Sequence, residues 1–188
     1  MKTPMRLGLA IALAVGSVGL IGCATEPSGT EAKSNLVQDS NTTLQSFLRT
    51  DPSLRNVLDR SAGYAVFPSI GQGGVIIAGG AFGRGVVYDN SGRVLGYCAV
   101  RQANVGPQLG GQTYSEMLIF QNQDALNKFR SGTLSFTAAA SAVALQAGAA
   151  ANASFDNGVA VLTKSPSGLM AGAAIGGQQF SFDTMNRE

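Results

Sequence analysis

The sequence predicts an α+β fold, with N-terminal helices packed on a curved, Gly/Ala-rich antiparallel β-sheet or partial barrel, and one short helix inserted. Apolar residues recur at helical spacing between Thr30 and Gly63. After Gly63 the chain changes to short β-branched and aromatic runs separated by many of its 25 glycines. A helical pattern returns at residues 124–130. With 188 residues, the chain has room for one domain.

The first 22 residues have the pattern of a secretory signal peptide. Lys2 and Arg6 precede an uncharged segment, residues 7–21, which is too short and too rich in Gly and Ala for a membrane span. The segment is followed by Gly22 and Cys23, a pattern that resembles the bacterial lipobox. This resemblance implies cleavage before Cys23 and attachment of lipid, including palmitate, to that cysteine. The alternative is an ordinary secretory signal that contains a cysteine.

The residue after Cys23 bears on the membrane in which such a lipoprotein would stay. Ala24 stands where an Asp would retain a lipoprotein in the inner membrane under the enteric-type sorting rule. The resemblance therefore implies anchorage to the outer membrane, on its periplasmic side. We expect a signal peptide at residues 1–22, a lipidated tether at residues 23–33 and a single domain at residues 34–188.

Two helices are predicted at the start of this domain. Over residues 30–49, Val37, Leu44 and Phe47 fall on one face. Asp51 and Pro52 then form an N-cap and first-turn pair. Gly63 can end the second helix, because glycine adopts the conformation that follows a helix.

Strands are predicted for most of the remaining chain. Asp89-Asn90-Ser91-Gly92 is typical of a hairpin turn. Residues 134–153 are ambiguous, because alanines favour a helix while polar and apolar residues alternate; we predict two strands with a turn near residues 146–148. A short helix is expected at 124–130. The other predicted strands are 64–67, 75–82, 86–88, 94–105, 112–121, 158–164, 169–175 and 178–182.

Three glycine-rich segments carry a resemblance to a known family. They are AGYAVFPSIG at residues 62–71, GGAFGRGVVY at 79–88 and SGLMAG at 167–172. Together they resemble the SYLF domain, and the likeness extends over about residues 36–182. The resemblance implies a lipid-binding module, because eukaryotic SYLF proteins bind phosphoinositide-containing membranes. Some of those proteins use an N-terminal basic amphipathic segment and some are linked to actin. Here the signal peptide and Cys23 replace that segment, so we do not expect actin binding.

Composition excludes several classes of function. The chain contains no His, which removes Ser-His-Asp catalysis and His-ligated metals. Loss of residues 1–22 removes two of the 13 basic residues and leaves 11 acidic side chains matched by as many basic ones. This balance disfavours nucleic-acid binding. Once Cys23 is lipidated, Cys98 has no intramolecular disulfide partner. We therefore predict no catalytic residues, no metal and no cofactor.

Cys98 and Glu116 are two further residues whose side chains could have a chemical role. Cys98, between Tyr97 and Ala99, is interpreted as a buried small apolar residue rather than a nucleophile. Glu116 is the candidate for an inward-facing acid, but an outward position on its alternating strand is the simpler interpretation.

The predicted lipid contact is Arg84, flanked by Gly83 and Gly85. Bare backbone on both sides would let an anionic head group approach the guanidinium. Arg101 is a second candidate contact. A surface ion pair or a capped turn is the alternative role for Arg84, and close strand packing is the alternative role for the glycines.

The function predicted from these observations is non-catalytic. The chain is expected to be held in the envelope by acylated Cys23 and to bind phospholipid or another amphiphile. The alternative is a structural or assembly lipoprotein that contacts an envelope protein.

Overall fold

The computed structural model describes residues 27–134, 143–165 and 177–185. The predicted signal peptide and Cys23 lie outside the described residues. The predicted strand at 169–175 also lies outside them, as does most of the first strand predicted in 134–153.

Both predicted N-terminal helices are confirmed. Helix α1 spans Thr30–Thr50, so the last residues assigned to the tether form its first turn. Helix α2 spans Leu54–Asp59, with Ser53 rather than the predicted Asp51 as its N-cap, and ends before Gly63. Gly63 instead begins the first strand, where a Cβ would lie 2.5 Å from the Tyr88 carbonyl oxygen. The glycine therefore permits a close backbone contact rather than ending the helix.

Strands β1 (Gly63–Asp89) and β2 (Val94–Phe120) are each 27 residues long and pair antiparallel along almost their whole length. The prediction of five separate strands here was wrong. Glycines do not interrupt the ladder, because Gly73 lies opposite Gly111 and Gly74 opposite Gly110. The pairing register shifts at three points in the ladder, and such irregularities allow the two strands to bend.

The predicted hairpin turn between these strands is confirmed. The Asp89 carboxylate Oδ1 accepts hydrogen bonds from the backbone N–H of Ser91 at 2.9 Å and of Arg93 at 3.0 Å. Gly92 has a φ of 84°, which glycine adopts at little cost. The turn residues thus have the local roles that their sequence predicts.

The rest of the sheet forms around β2. Strand β5 (Gln178–Thr184) pairs with the beginning of β2, and strand β4 (Val159–Lys164) pairs with its end. The two-residue strand β3 (Val143–Ala144) adds to β4 in parallel. Among the described residues, the sheet is open and does not close into a barrel. The architecture is α+β, as predicted.

The segment after β3 corrects one prediction. Residues 146–149 form the predicted turn, with the Ala149 N–H donating to the Gln146 carbonyl at 3.0 Å. The strand expected next is instead a 3₁₀ turn, Ala150–Asn152. Its first N–H, that of Ala150, donates to the Asp51 carboxylate at 2.7 Å. This contact is with a residue 99 positions away, so local alternation could not predict it.

The sheet separates two apolar clusters. On β1, Tyr64, Val66 and Val86 face α1 and α2, whereas Ala65 and Phe67 face the other way. The first side is called the α1 face. The second is the α3 face, because the predicted helix α3 (Gln123–Arg130) packs there. Because successive side chains of a strand point to opposite faces of the sheet, the same strand contributes residues to both clusters.

None of the helices among the described residues is both long enough and apolar enough to cross a bilayer.

Candidate functional site

A cavity of about 520 Å³ opens beside the first turns of α1. It is called the Arg84 pocket. The opposing walls come from two parts of β1, near Pro68 and near Arg84, which bending of the strand brings together. The pocket is lined by Pro27, Ala32, Asn35, Leu36, Asp39, Pro68, Ser69, Gly71, Phe82, Gly83 and Arg84.

Arg84 is held on the wall formed by β1. It is half-buried and shares the α1 face with Val86 by strand alternation. Its guanidinium carbon lies 5.8 Å from the centroid of the Phe82 ring, within the range of a cation–π contact. The Phe82 ring and the guanidinium therefore lie side by side in the lining of the pocket.

Arg101 lies close to Arg84 in the ladder. It pairs with Phe82, and Arg84 pairs with Ala99, so the two arginines are diagonal neighbours on one face. Arg101 is exposed and does not line the pocket. The structure thus places a second arginine on the strand next to the one that carries Arg84.

Gly83 and Gly85 have a packing role. A Cβ at Gly83 would lie 2.6 Å from the Ile70 side chain, and a Cβ at Gly85 would lie 2.5 Å from the Val66 carbonyl oxygen. The space that their missing side chains leave is therefore filled from the α3 face. These glycines allow the two parts of β1 to approach, and Gly83 also contributes to the pocket wall.

The pocket combines apolar and charged surface. Leu36 and Phe82 provide apolar contacts, Arg84 provides a cation, and Asp39 provides a carboxylate on the α1 side. Such a lining suits a molecule with an apolar part and a charged head. The α1 residues were not anticipated, because the register between a helix and a distant strand leaves no local signal in the sequence.

Comparison with known protein families decides the relationship. Residues 101–187 match the family model Ysc84, described as Las17-binding protein actin regulator. This part of the chain is therefore similar to the Ysc84 (SYLF) family. The resemblance to the SYLF domain seen in the sequence is confirmed over residues 101–187. The Ysc84 family is a lipid-binding, non-catalytic family. No curated protein sequence matches the chain.

The Ysc84 match covers only part of the candidate site. Arg101 lies within it, whereas Gly83, Arg84 and Gly85 precede it. Arg101 is thus part of the segment that matches the family. The residues that line the pocket lie between positions 27 and 84, before this segment.

The Ysc84 segment also contains a buried acid. Glu116 is fully buried on the α3 face, so the interpretation as an outward residue was wrong. Its carboxylate oxygens accept hydrogen bonds from Gln178 Nε2 at 3.1 and 3.4 Å. Burial raises the pKa of the Glu116 carboxyl to about 7, although the Gln178 hydrogen bond acts in the opposite direction. The alternation of side chains along this strand was correctly predicted. The sequence does not indicate that the face of the sheet carrying Glu116 is covered by other residues.

Cys98 lies in the same part of the core. It is fully buried, as predicted, and burial raises the pKa of its thiol well above the usual value, with nearby Glu116 acting in the same direction. A protonated, inaccessible thiol is a poor nucleophile.

Proposed function

We propose that this protein is a lipid-anchored envelope module that binds phospholipid or another amphiphile in the Arg84 pocket. The observation that carries the proposal is the half-buried Arg84 in the lining of a cavity that also contains the apolar side chains of Leu36 and Phe82. A phosphate or carboxylate head would pair with Arg84, and an apolar chain would contact Leu36 and Phe82. The lipid-binding character of the family supports the same assignment.

The position of the tether favours this arrangement. Pro27 lines the Arg84 pocket, and Cys23 precedes it by four residues. Four residues can span at most about 14 Å. Acylation of Cys23 would therefore keep the pocket near the bilayer surface, where its ligand is concentrated.

The pocket is tested by vesicle co-sedimentation of the unlipidated chain beginning at Ala24. Vesicles of phosphatidylcholine with one-quarter phosphatidylglycerol supply the anionic surface. Because a charge-assisted hydrogen bond contributes roughly 1.5 to 3 kcal/mol, Arg84→Ala should weaken binding by about tenfold or more. Arg101→Ala should have a smaller effect, because Arg101 lies outside the cavity.

The matched control is Arg93→Ala. Arg93 lies in the hairpin turn, where its side chain is 71% exposed and paired with Asp89 at 3.0 Å. We expect vesicle binding by this variant to match that of the unmodified chain. Equal losses for Arg84→Ala and Arg93→Ala would indicate diffuse electrostatic attraction. Full binding by Arg84→Ala would reject the pocket assignment and favour contact with an envelope protein.

The anchor is tested separately by Cys23→Ser in the precursor. We expect loss of membrane fractionation or failure of signal cleavage, measured by fractionation and intact-mass spectrometry. A Cys23→Ser chain that is still processed normally and still membrane-bound would show that acylation is not the anchor.

A further inference from the structure

A second cavity lies at the other end of the helices from the Arg84 pocket. It has a volume of about 480 Å³, within the range of small-ligand sites. Here it is called the Arg60 pocket. It is lined by Ser53, Asn56, Val57, Arg60, Ser61, Gln121, Ala151 and Phe155.

The walls of this pocket are fixed by hydrogen bonds. The Asp51 carboxylate holds the start of α2 through the Ser53 N–H at 3.0 Å and holds the opposite wall through the Ala150 N–H at 2.7 Å. The third wall is fixed where the Gln121 N–H donates to the Gly158 carbonyl at 2.8 Å. The cavity is therefore built into the fold rather than left between loosely placed segments.

The chemistry of the lining is that of a site for an amphiphilic anion. Val57 and Phe155 are half-buried and pack against the α1-face cluster, which gives the pocket an apolar floor. Asn56, Gln121 and the hydroxyl side chains provide hydrogen-bonding groups. Among the described residues that line the pocket, Arg60 carries a charge and none carries a carboxylate. One guanidinium matches one negative charge, which favours a carboxylate over a doubly charged phosphate.

The distance between the two cavities indicates where the ligand comes from. From Leu36 to Thr50, α1 rises about 21 Å at 1.5 Å per residue. On β1, which begins two residues after Ser61, the strand rises about 17 Å from Gly63 to Pro68. The Arg60 pocket therefore lies far from Pro27 and the tether, and its ligand would arrive from solution rather than from the bilayer.

We propose that the Arg60 pocket binds a small water-soluble carboxylate with an apolar chain. The carboxylate pairs with Arg60 and accepts hydrogen bonds from the neighbouring amides. The chain lies along Val57 and Phe155. This site is independent of the Arg84 pocket.

The test is hydrogen–deuterium exchange of the full protein in phosphatidylcholine nanodiscs, titrated with octanoate or, as the cationic control, octylammonium. We expect octanoate to slow exchange in the peptides that contain residues 53–61 and 150–155. Octylammonium should not slow exchange there, because its positive charge would be repelled by that of Arg60. Slowed exchange confined to residues 27–39 would assign octanoate to the Arg84 pocket and would overturn the proposal.

Two variants make the assignment specific. Arg60→Gln should raise the octanoate concentration needed for half-maximal protection by about tenfold, because the charge-assisted contact is lost. The matched control is Arg55→Gln, which changes an exposed arginine of α2 that does not line the cavity. We expect no change in its titration. Equal titrations of Arg60→Gln and the unmodified protein, or no protection by octanoate, would contradict the proposal.

Discussion

At the scale of single residues, Glu116 is a carboxyl group placed where charge is costly. It is fully buried, and its hydrogen-bond partner Gln178 is 5% exposed. Gln178 Nε2 donates to the carboxylate, while Gln178 Oε1 has no hydrogen-bond partner among the described residues. A protonated carboxyl would fit this site better, because it carries no charge and supplies a donor.

Stability should consequently depend on pH. The pKa of Glu116 rises from an ordinary value of 4.5 to about 7 in the folded state. Between these values the folded state binds more protons than the unfolded state, so the free energy of unfolding falls as pH rises. The difference corresponds to roughly 3 kcal/mol. Glu116→Gln should remove most of this loss, because the introduced amide stays uncharged and can donate to Gln178 Oε1.

Urea unfolding at pH 5, 6, 7 and 8 measures this effect. The control is Glu31→Gln, in the exposed first turn of α1. Parallel pH profiles for the unmodified protein and Glu116→Gln would show that Glu116 does not titrate in this range.

At the scale of elements, Asp51 connects the helices to the segment after β3. Its carboxylate accepts hydrogen bonds from the Ser53 hydroxyl at 2.6 Å and from the Ala150 N–H at 2.7 Å. Burial alone would raise the pKa of Asp51, but hydrogen bonds from Ser53, Ala150 and Gly148 outweigh it, so the pKa is lowered. The ionised carboxylate is therefore the form that the fold stabilises.

Asp51→Ala should lower the free energy of unfolding by roughly 2 to 4 kcal/mol, because it removes the acceptor for Ser53 and leaves the buried N–H of Ala150 without a partner. The contribution of Asp51 is fully present above its ordinary pKa of 3.8 and is lost as pH falls through the lower folded-state value. Denaturant unfolding between pH 2.5 and 6 measures both effects. Asp59→Ala, at the exposed end of α2, is the control. A cost no greater than that of Asp59→Ala would exclude this role for Asp51.

Element prediction succeeded where the signal is local. The α1 stripe and the Asp89 turn depend on neighbours within a few positions, and both are present. The predicted N-cap at Asp51 was wrong by two positions, because Ser53 is the N-cap of α2 and Asp51 instead accepts hydrogen bonds from Ser53. The continuity of β1 and β2 was missed, because cross-strand pairing keeps glycines within a ladder that local propensity would end. The Ala150 turn was missed for the same reason, since its partner is distant in the sequence.

At the scale of the whole molecule, the candidate site also combines a residue with a local sequence signal and residues whose position depends on long-range contacts. Arg84 was singled out by its glycine neighbours, and the structure places it in a cavity. The other walls, from Leu36 and Pro68, depend on how α1 and the two parts of β1 meet. Arg60 had no sequence signal, because its pocket exists only where α2 meets the segment around Phe155.

The two clusters share their strands, which has a consequence for unfolding. Met117 and Ile119 contribute to the cluster on the α1 face, while Leu118 and Phe120 contribute to the one on the α3 face. Loss of either cluster would leave the other without the strand that carries it. The described part of the chain should therefore unfold as one cooperative unit.

Substitution on either face tests this cooperativity. Phe47→Ala removes a fully buried ring from the α1 face, and Phe129→Ala removes one from the α3 face. Each substitution should lower the free energy of unfolding by about 3 to 5 kcal/mol. In denaturant titrations, near-ultraviolet circular dichroism reports mainly on the α1 face, where three of the four tyrosines lie (Tyr64, Tyr88 and Tyr97), while hydrogen exchange of the α3 peptide reports on the other face. Both signals should shift together in both variants, and Met185→Ala, at a side chain that is 41% exposed, should shift neither appreciably. Early loss of the tyrosine signal in Phe47→Ala, with the α3 peptide still protected, would show that the faces unfold separately.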